Sequence, residues 1–302
     1  MQDPWSLYWQ SDCLDSCVAT QSTQDVLVIA RFWEKLALQL HADAQVLDVA
    51  TGNGAVPATL LKANSKLGIT AVDKAKIDPL RFLSAPGALI GVNFQADVDI
   101  CTLPFEGAVF DAVTSQFGIE YASLEQAGPE LLRVAKCGAR VRFLMHHADS
   151  KIVVPARRKR HEMDTLLAAG GILSMLRAYL DGENTSAALE SAGEAHLASE
   201  DGRSRQITGQ IFEGVNRVIN NVRKGDQAAA NELCNVMIIR LRADRDRLQQ
   251  LDNAALGEER LEEVVNMLDE AGARAETVTT LCANAGTDDE LLIGWQYCGE
   301  KA

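Results

Sequence analysis

Residues Val46 to Gly54 read Val-Leu-Asp-Val-Ala-Thr-Gly-Asn-Gly, and this run constrains the fold more than any other part of the chain. An apolar strand ends in a Gly-x-Gly turn, and an apolar helical stretch from Val56 to Leu61 begins at once. Such a turn brings backbone N–H groups at a helix start close to a ligand. Position 57, three after Gly54, is proline where a pyrophosphate-binding loop would carry glycine. Asp48, near the strand end, suits a ligand bearing an ammonium group and suits a pyrophosphate poorly.

Strand and helix signals alternate through the first half. Gln24 to Leu40 has helical periodicity, with Val28, Phe32, Leu36 and Leu40 on one face. Strands are expected at Val46 to Val49, Ile69 to Val72, Val92 to Gln95, Ala108 to Ser115 and Arg140 to His146. Short apolar strands separated by helices imply a parallel sheet covered on both faces, with right-handed crossovers. From about Lys151 to Gly257 no strand is expected. Helices are expected there at His161 to Leu180, broken at Gly170-Gly171, then at Ser186 to Glu200, Gln206 to Lys224 and Glu232 to Gln250. Alternation then resumes with a helix at Leu261 to Ala271 and strands at Glu276 to Leu281 and Leu291 to Cys298, joined by a polar loop from Asn284 to Asp289. The chain thus reads as one α/β domain, residues 1–148 and 256–302, interrupted after its fifth strand by a helical insertion, residues 149–255.

Composition narrows the partners. A formal charge of −13 argues against an extended nucleic-acid surface, which needs clustered Lys and Arg, and against an anionic membrane surface. No run of 18 apolar residues exists, so no spanning helix is expected. The first residues lack the pattern of a signal peptide. The seven cysteines are scattered without metal spacing, Cys13 and Cys17 forming a single C-x3-C pair, and read as reduced thiols of a cytoplasmic protein.

In an open α/β sheet ligands bind at the carboxyl ends of the strands. The first strand brings Asp48, Ala50, Thr51, Gly52, Asn53 and Gly54 there, and the second brings Asp73, which can accept hydrogen bonds from both hydroxyls of a ribose. The third brings Asp97 or Asp99, the fourth Ser115, Gln116, Phe117, Gly118, Glu120 and Tyr121, and the fifth His146 and His147.

Taken together, Asp48, Ala50, Gly52 and Gly54 resemble motif I of the class I S-adenosylmethionine-dependent methyltransferases, with Ala50 where glycine is usual. Ala71-Val72-Asp73 is similar to the acidic end of that family's second strand. Asp97 to Phe105 with Phe110-Asp111-Ala112-Val113, and Glu130 to Val134 with Gly138, resemble segments of its ubiquinone and menaquinone biosynthesis group. There Cys137 replaces a proline and Ala139 a glycine. The resemblance covers about Val28 to His147 and Leu261 to Cys298. It implies a Rossmann-like, three-layer, seven-stranded and mostly parallel sheet, and S-adenosyl-L-methionine as cofactor. The loop Gly52 to Gly54 would wrap the cofactor's methionine part, with Ala50 and Thr51 also at the cofactor, Asp48 would orient that loop and the ammonium group, and Asp73 with Lys74 beside it would hold the ribose. Asp97 with Val98 would flank the adenine; spacing from Leu103 favours Asp99, distance from Phe94 favours Asp97, and Asp97 is preferred. Ser115 and Gln116 would lie by the reactive methyl group.

Methyl transfer from a sulfonium expels a neutral thioether, so only the acceptor can require a base. Alternation along the fifth strand lets one of His146 and His147 face the site; His147 is preferred, with His146 and Gln116 as lesser catalytic candidates. A small organic acceptor is expected, because the charge balance disfavours nucleic acid and Ser115-Gln116-Phe117-Gly118 is not the Asn/Asp-Pro-Pro-Tyr of nucleobase amino methylation. The helical insertion would serve as a lid that selects the acceptor. Its apolar stripe from Ile207 to Val222 is a core face, a pocket wall or a homodimer interface. Arg157 to Arg160 is a solvated basic face or a clamp for an acidic group. Trp5, Tyr8 and Trp9 either pack on the domain or cap the cofactor or substrate. The alternatives in kind are a nucleotide-cofactor oxidoreductase on a similar sheet and a non-catalytic binding or scaffold member of the fold.

Overall fold

A computed structural model describes residues 3–15, 23–199, 205–284 and 290–302. Cys17 and most of the polar loop expected before Leu291, residues 285–289, lie outside the described residues. The chain divides into two compact units, Met1–Val154 with Leu251–Ala302, and Pro155–Gln250.

The first unit holds one seven-stranded sheet. Its strands are β1 (Gln45–Val49), β2 (Gly68–Val72), β3 (Asn93–Gln95), β4 (Phe110–Gln116), β5 (Ala135–His146), β6 (Ala273–Asn284) and β7 (Glu290–Lys301). Their order is β3-β2-β1-β4-β5-β7-β6. β1 to β5 pair in parallel, and β7 runs antiparallel to both β5 and β6. Strand order therefore reverses between β1 and β4, where Asp48 lies in register with Thr114. That reversal opens a crevice at the carboxyl ends of the central strands.

Burial explains the strand sequences. Leu47, Val49, Val113, Val141 and Phe143 form one core with Leu131 and Leu132 of α5 (Leu124–Val134) and Leu261, Val264 and Leu268 of α11 (Glu258–Glu270). Alternate residues such as Val46, Ile69, Ala71 and Ala112 are equally buried on the other face, so central strands read as continuous apolar runs. α2 (Thr23–Gln39) and α3 (Ala55–Ala63) pack together in that second helical layer.

α2 is rotated from the face read in its sequence. It buries Asp25, Ile29, Trp33, Leu36 and Ala37, whereas Val28 and Phe32 are only half-buried. The reason is a polar residue on the inner face: Asp25 is buried against Lys151, whose Nζ lies 2.7 Å away. An apolar-only pattern cannot register a carboxylate neutralised in this way. Beyond β5, His147 bridges to Leu256, and the Leu256 amide donates to the His146 carbonyl at 2.8 Å.

The second unit, taken by itself, is helical among its described residues. α6 (Val153–Leu167) and α7 (Ile172–Leu180) meet at Gly170-Gly171, and α8 (Ser186–Ala198), α9 (Arg205–Arg223) and α10 (Gln227–Ala254) follow. α9 buries Ile207, Ile211, Val215 and Val218, so the stripe is a core face of this unit. Glu162 accepts from both the amide and the hydroxyl of Thr208 at 2.7 Å, linking α6 to α9.

Gly294 of β7 gives a test of the sheet. A Cβ there would sit 2.5 Å from the Met145 carbonyl oxygen, a backbone atom that cannot swing away. Gly294→Ala is expected to lower unfolding free energy by about 1–3 kcal/mol, measured by urea denaturation; an unchanged midpoint would contradict the β5–β7 packing.

Candidate functional site

The loop that follows β1 is built on left-handed backbone. Gly52 and Gly54 have φ of 55° and 88°, and Ala50 has φ of 52°. Glycine takes this conformation freely and alanine does so at a cost. Ala50 finds room because Gly118 faces it: a Cβ on Gly118 would lie 2.4 Å from the Ala50 methyl. Asp97 after β3 and Phe117 after β4 also have positive φ, 58° and 54°. Three strained non-glycine residues thus gather at the carboxyl ends of β1, β3 and β4, where strain commonly marks function.

Two carboxylates dominate the crevice. Asp48 is buried at the strand-order reversal and accepts a 2.7 Å hydrogen bond from Thr114 Oγ1 on its Oδ1. Its Oδ2 is buried with no hydrogen-bond partner among the described residues. Burial pushes its carboxyl up to about 7. Asp73, at the end of β2, accepts from the Gly52 amide and the Ala75 amide, each at 2.8 Å, and burial pushes it up to about 6. Asp73 therefore shapes the Gly52 turn from 21 residues away, a role that spacing alone does not disclose.

Other buried polar atoms without a partner among the described residues lie on the same strand ends: Asn53 Oδ1, Ser115 Oγ and Glu120 Oε2. Buried polar atoms are nearly always satisfied, so this concentration points to a polar, cationic ligand as the missing partner. The residues present fit S-adenosylmethionine: a left-handed glycine loop for close approach, and two carboxylates for an ammonium group and a ribose.

The remaining sequence-derived residues divide. Thr51 is buried beside Gly52. Gln116 is held from two sides, accepting from Trp33 Nε1 at 2.6 Å and donating to Asp15 at 3.1 Å. The Val98 amide donates to the Asp73 carbonyl at 3.0 Å, so the β3 end is tied to the β2 end. Lys74 pairs with Asp99 at 2.8 Å, and this bond with the Cys101 amide holds Asp99 below the usual carboxylate range; Asp97 is exposed. The structure separates the two histidines. His146 is fully buried, its Nδ1 2.6 Å from Glu120 Oε1, with the tilted ring of Phe117 4.7 Å away. His147 turns away, stacks on Trp295 of β7 at 4.4 Å, and accepts the Asp149 amide on Nδ1. Burial lowers the His147 imidazole from its ordinary value. Sequence reasoning missed Thr114 and Trp33 and undervalued Glu120. A hydroxyl directly after the apolar pair Ala112-Val113, two residues before Gln116, was the available signal for Thr114.

The N-terminal residues reach the same crevice. α1 (Pro4–Tyr8) lies within a segment whose Trp9 packs on Gly52, and Asn53 Nδ2 donates to the Cys13 carbonyl at 2.7 Å.

The comparisons agree with this geometry. No family model matches the chain. The demethylmenaquinone methyltransferase of Mycolicibacterium vanbaalenii is 30% identical over 196 residues, which span 60% of this chain and 80% of that enzyme. Among solved structures, a SAM-dependent methyltransferase from Aquifex aeolicus aligns over 92% of this chain and 97% of its own, at 12% identity and a TM-score of 0.45. One from Methanosarcina mazei aligns over 88% and 96%, at 13% identity and a TM-score of 0.44. Those two scores are too low to add to the strand order already described. The chain belongs to the class I S-adenosylmethionine-dependent methyltransferases, enzymes whose cofactor is S-adenosyl-L-methionine.

The raised carboxyls make a pH prediction. Asp48 and Asp73 bind protons more tightly folded than unfolded, so between about pH 4 and pH 7 the folded state carries more protons and stability falls as pH rises. Asp48→Asn should flatten this decline. Urea unfolding of both proteins at pH 5 and pH 8, without cofactor, checks it; parallel losses in the two proteins would show that Asp48 is not the group responsible.

Proposed function

We propose that the chain transfers the methyl group of S-adenosylmethionine to a small organic acceptor by in-line displacement. The single observation that carries this is the buried, half-satisfied Asp48 beside the Gly52 turn at the strand-order reversal. The cofactor supplies an electrophilic methyl group on a sulfonium that leaves as a neutral thioether.

The chain's own residues have the following roles in this reading. Asp48, poised near neutrality by burial, ionises when a cationic group approaches and holds the ammonium. Residues Ala50 to Gly54 wrap the methionine part. Asp73 binds the ribose while bracing Gly52. Asp97 with Val98 flanks the adenine, since Asp99 is already engaged by Lys74. Ser115 and Gln116 line the reacting end. Positioning supplies most of the acceleration, for which proximity and orientation can contribute about 7–11 kcal/mol.

His146 is the group we assign to accept a proton from an acceptor hydroxyl or acidic carbon. Glu120 holds Nδ1 and steadies the imidazolium that forms when His146 takes the proton. His147 faces Trp295 and is given no such role. Residues 149–255 would select the acceptor. The net charge of −13 disfavours a nucleic-acid substrate. Among the described residues no helix is long and apolar enough to cross a membrane. Demethylmenaquinone, named for the 30% identical relative, is the first acceptor to test.

Two experiments check the reading. Asp73→Ala should weaken S-adenosylhomocysteine binding in calorimetry about ten- to a hundredfold, the equivalent of roughly 1.5–3 kcal/mol of charged hydrogen bonds; unchanged affinity would refute its ribose role. With an active acceptor found by S-adenosylhomocysteine release, His146→Gln should cut kcat by about 10²–10⁴ with cofactor affinity retained. A variant that kept its kcat would remove His146 from the chemistry.

A further inference from the structure

Residues 3–15 cross the whole crevice. The Lys76 amide, just beyond β2, donates to Ser6 Oγ at 2.9 Å. The Ser84 amide donates to Asp12 Oδ1 at 2.9 Å. Asn53, in the middle of the Gly-x-Gly turn, donates to the carbonyls of Cys13, Trp9 and Ser11 at 2.7, 3.2 and 3.3 Å. Gln116, at the end of β4, donates to Asp15. Four anchors thus run from the end of β2 across the loop to the end of β4.

Between the anchors the contact is aromatic and close. A Cβ placed on Gly52 would lie 2.2 Å from Trp9 Cζ2 and 2.5 Å from Cη2, so the indole rests directly on the loop backbone. Trp9 is buried with Ala75 and Ile77, two and four residues past Asp73, and Trp5, Tyr8, Phe94 and Ala96 close around it. Trp5 stacks on Trp9 at 6.2 Å and meets Tyr121 edge-on at 5.5 Å.

We propose that this segment is a built-in competitor for the cofactor: Trp9 occupies the face of Gly52 and of the β2 and β3 ends that the cofactor needs, and must lift away before the cofactor can seat. The proposal rests on the cofactor site assigned above. A lid that closed over a bound ligand would stand off the loop by at least the ligand's thickness, since carbon atoms approach no closer than about 3.5–4.0 Å. Trp9 leaves no such gap. Direct seating of the ring and seating of a ligand on that same face of Gly52 exclude each other.

Competition has a calculable signature. If the segment is closed in nine molecules of ten, the apparent dissociation constant is about tenfold weaker than that of the open site. Trp9→Ala should therefore bind S-adenosylhomocysteine about tenfold more tightly than the wild type in calorimetry, with a faster association rate by stopped flow. Asp12→Ala, which frees only the anchor at Ser84, should shift affinity in the same direction by a smaller factor, and it covers the case in which loss of the indole unfolds the protein. Saturating the wild type with S-adenosylhomocysteine should red-shift tryptophan emission and raise acrylamide quenching, a change that Trp9→Ala lacks. Equal or weaker binding by both variants, with the wild type binding normally, would overturn the competitor and leave the site standing. Failure of wild type and variants alike to bind would overturn the site itself and the competitor with it.

Discussion

A hydrogen bond between neighbouring strands organises this protein. Thr114 of β4 donates to Asp48 of β1 at the position where strand order turns back on itself. That bond holds a carboxylate in the buried interior of the sheet, beside apolar neighbours such as Leu47 and Val49. Desolvation makes the ionised form expensive, which is why the carboxyl titrates near neutrality. A site built this way favours cations strongly, because an arriving positive charge relieves a cost the fold already carries. The second carboxylate works differently. Asp73 spends a lone pair on each of two backbone amides, and through Gly52 it sets the turn that both the loop and the ligand depend on.

Much of the sheet was legible because its strands are short, apolar and separated by turn residues. The five parallel strands and the final antiparallel pair lie within a few residues of where patterning puts them. Strand ends drifted where hydrogen bonding outran hydrophobicity: β5 starts at Ala135, which pairs with Phe110 of β4 ahead of an irregularity, before the ladders to β4 and β7 run on from Arg140. α2 defeated patterning for the opposite reason, since its inner face includes Asp25, satisfied by a lysine 126 residues away.

The site was legible to the extent that it is local. Gly52, Gly54 and Asp48 announce themselves within a few residues. Interactions across the chain did not. That Asp73 holds Gly52, that Glu120 holds His146, and that Asn53 reaches back to residues 9–13 are facts of tertiary packing with no periodicity to reveal them. Alternation correctly separates His146 from His147 but cannot say which one meets Glu120. The tryptophans near the N-terminus raised the question of docking; only the fold shows that their landing place is the glycine turn.

The bridge between His147 and Leu256 joins the two ends of the helical stretch. The backbone leaving the sheet and the backbone returning to it are fastened together by hydrogen bonds at His146, Ala148 and Leu256. Whatever lies between those points enters and exits through a clasp that the sheet closes for itself. The intervening helices thus leave and rejoin the sheet at one paired point, and a change in their length leaves the hydrogen bonds of that point in place.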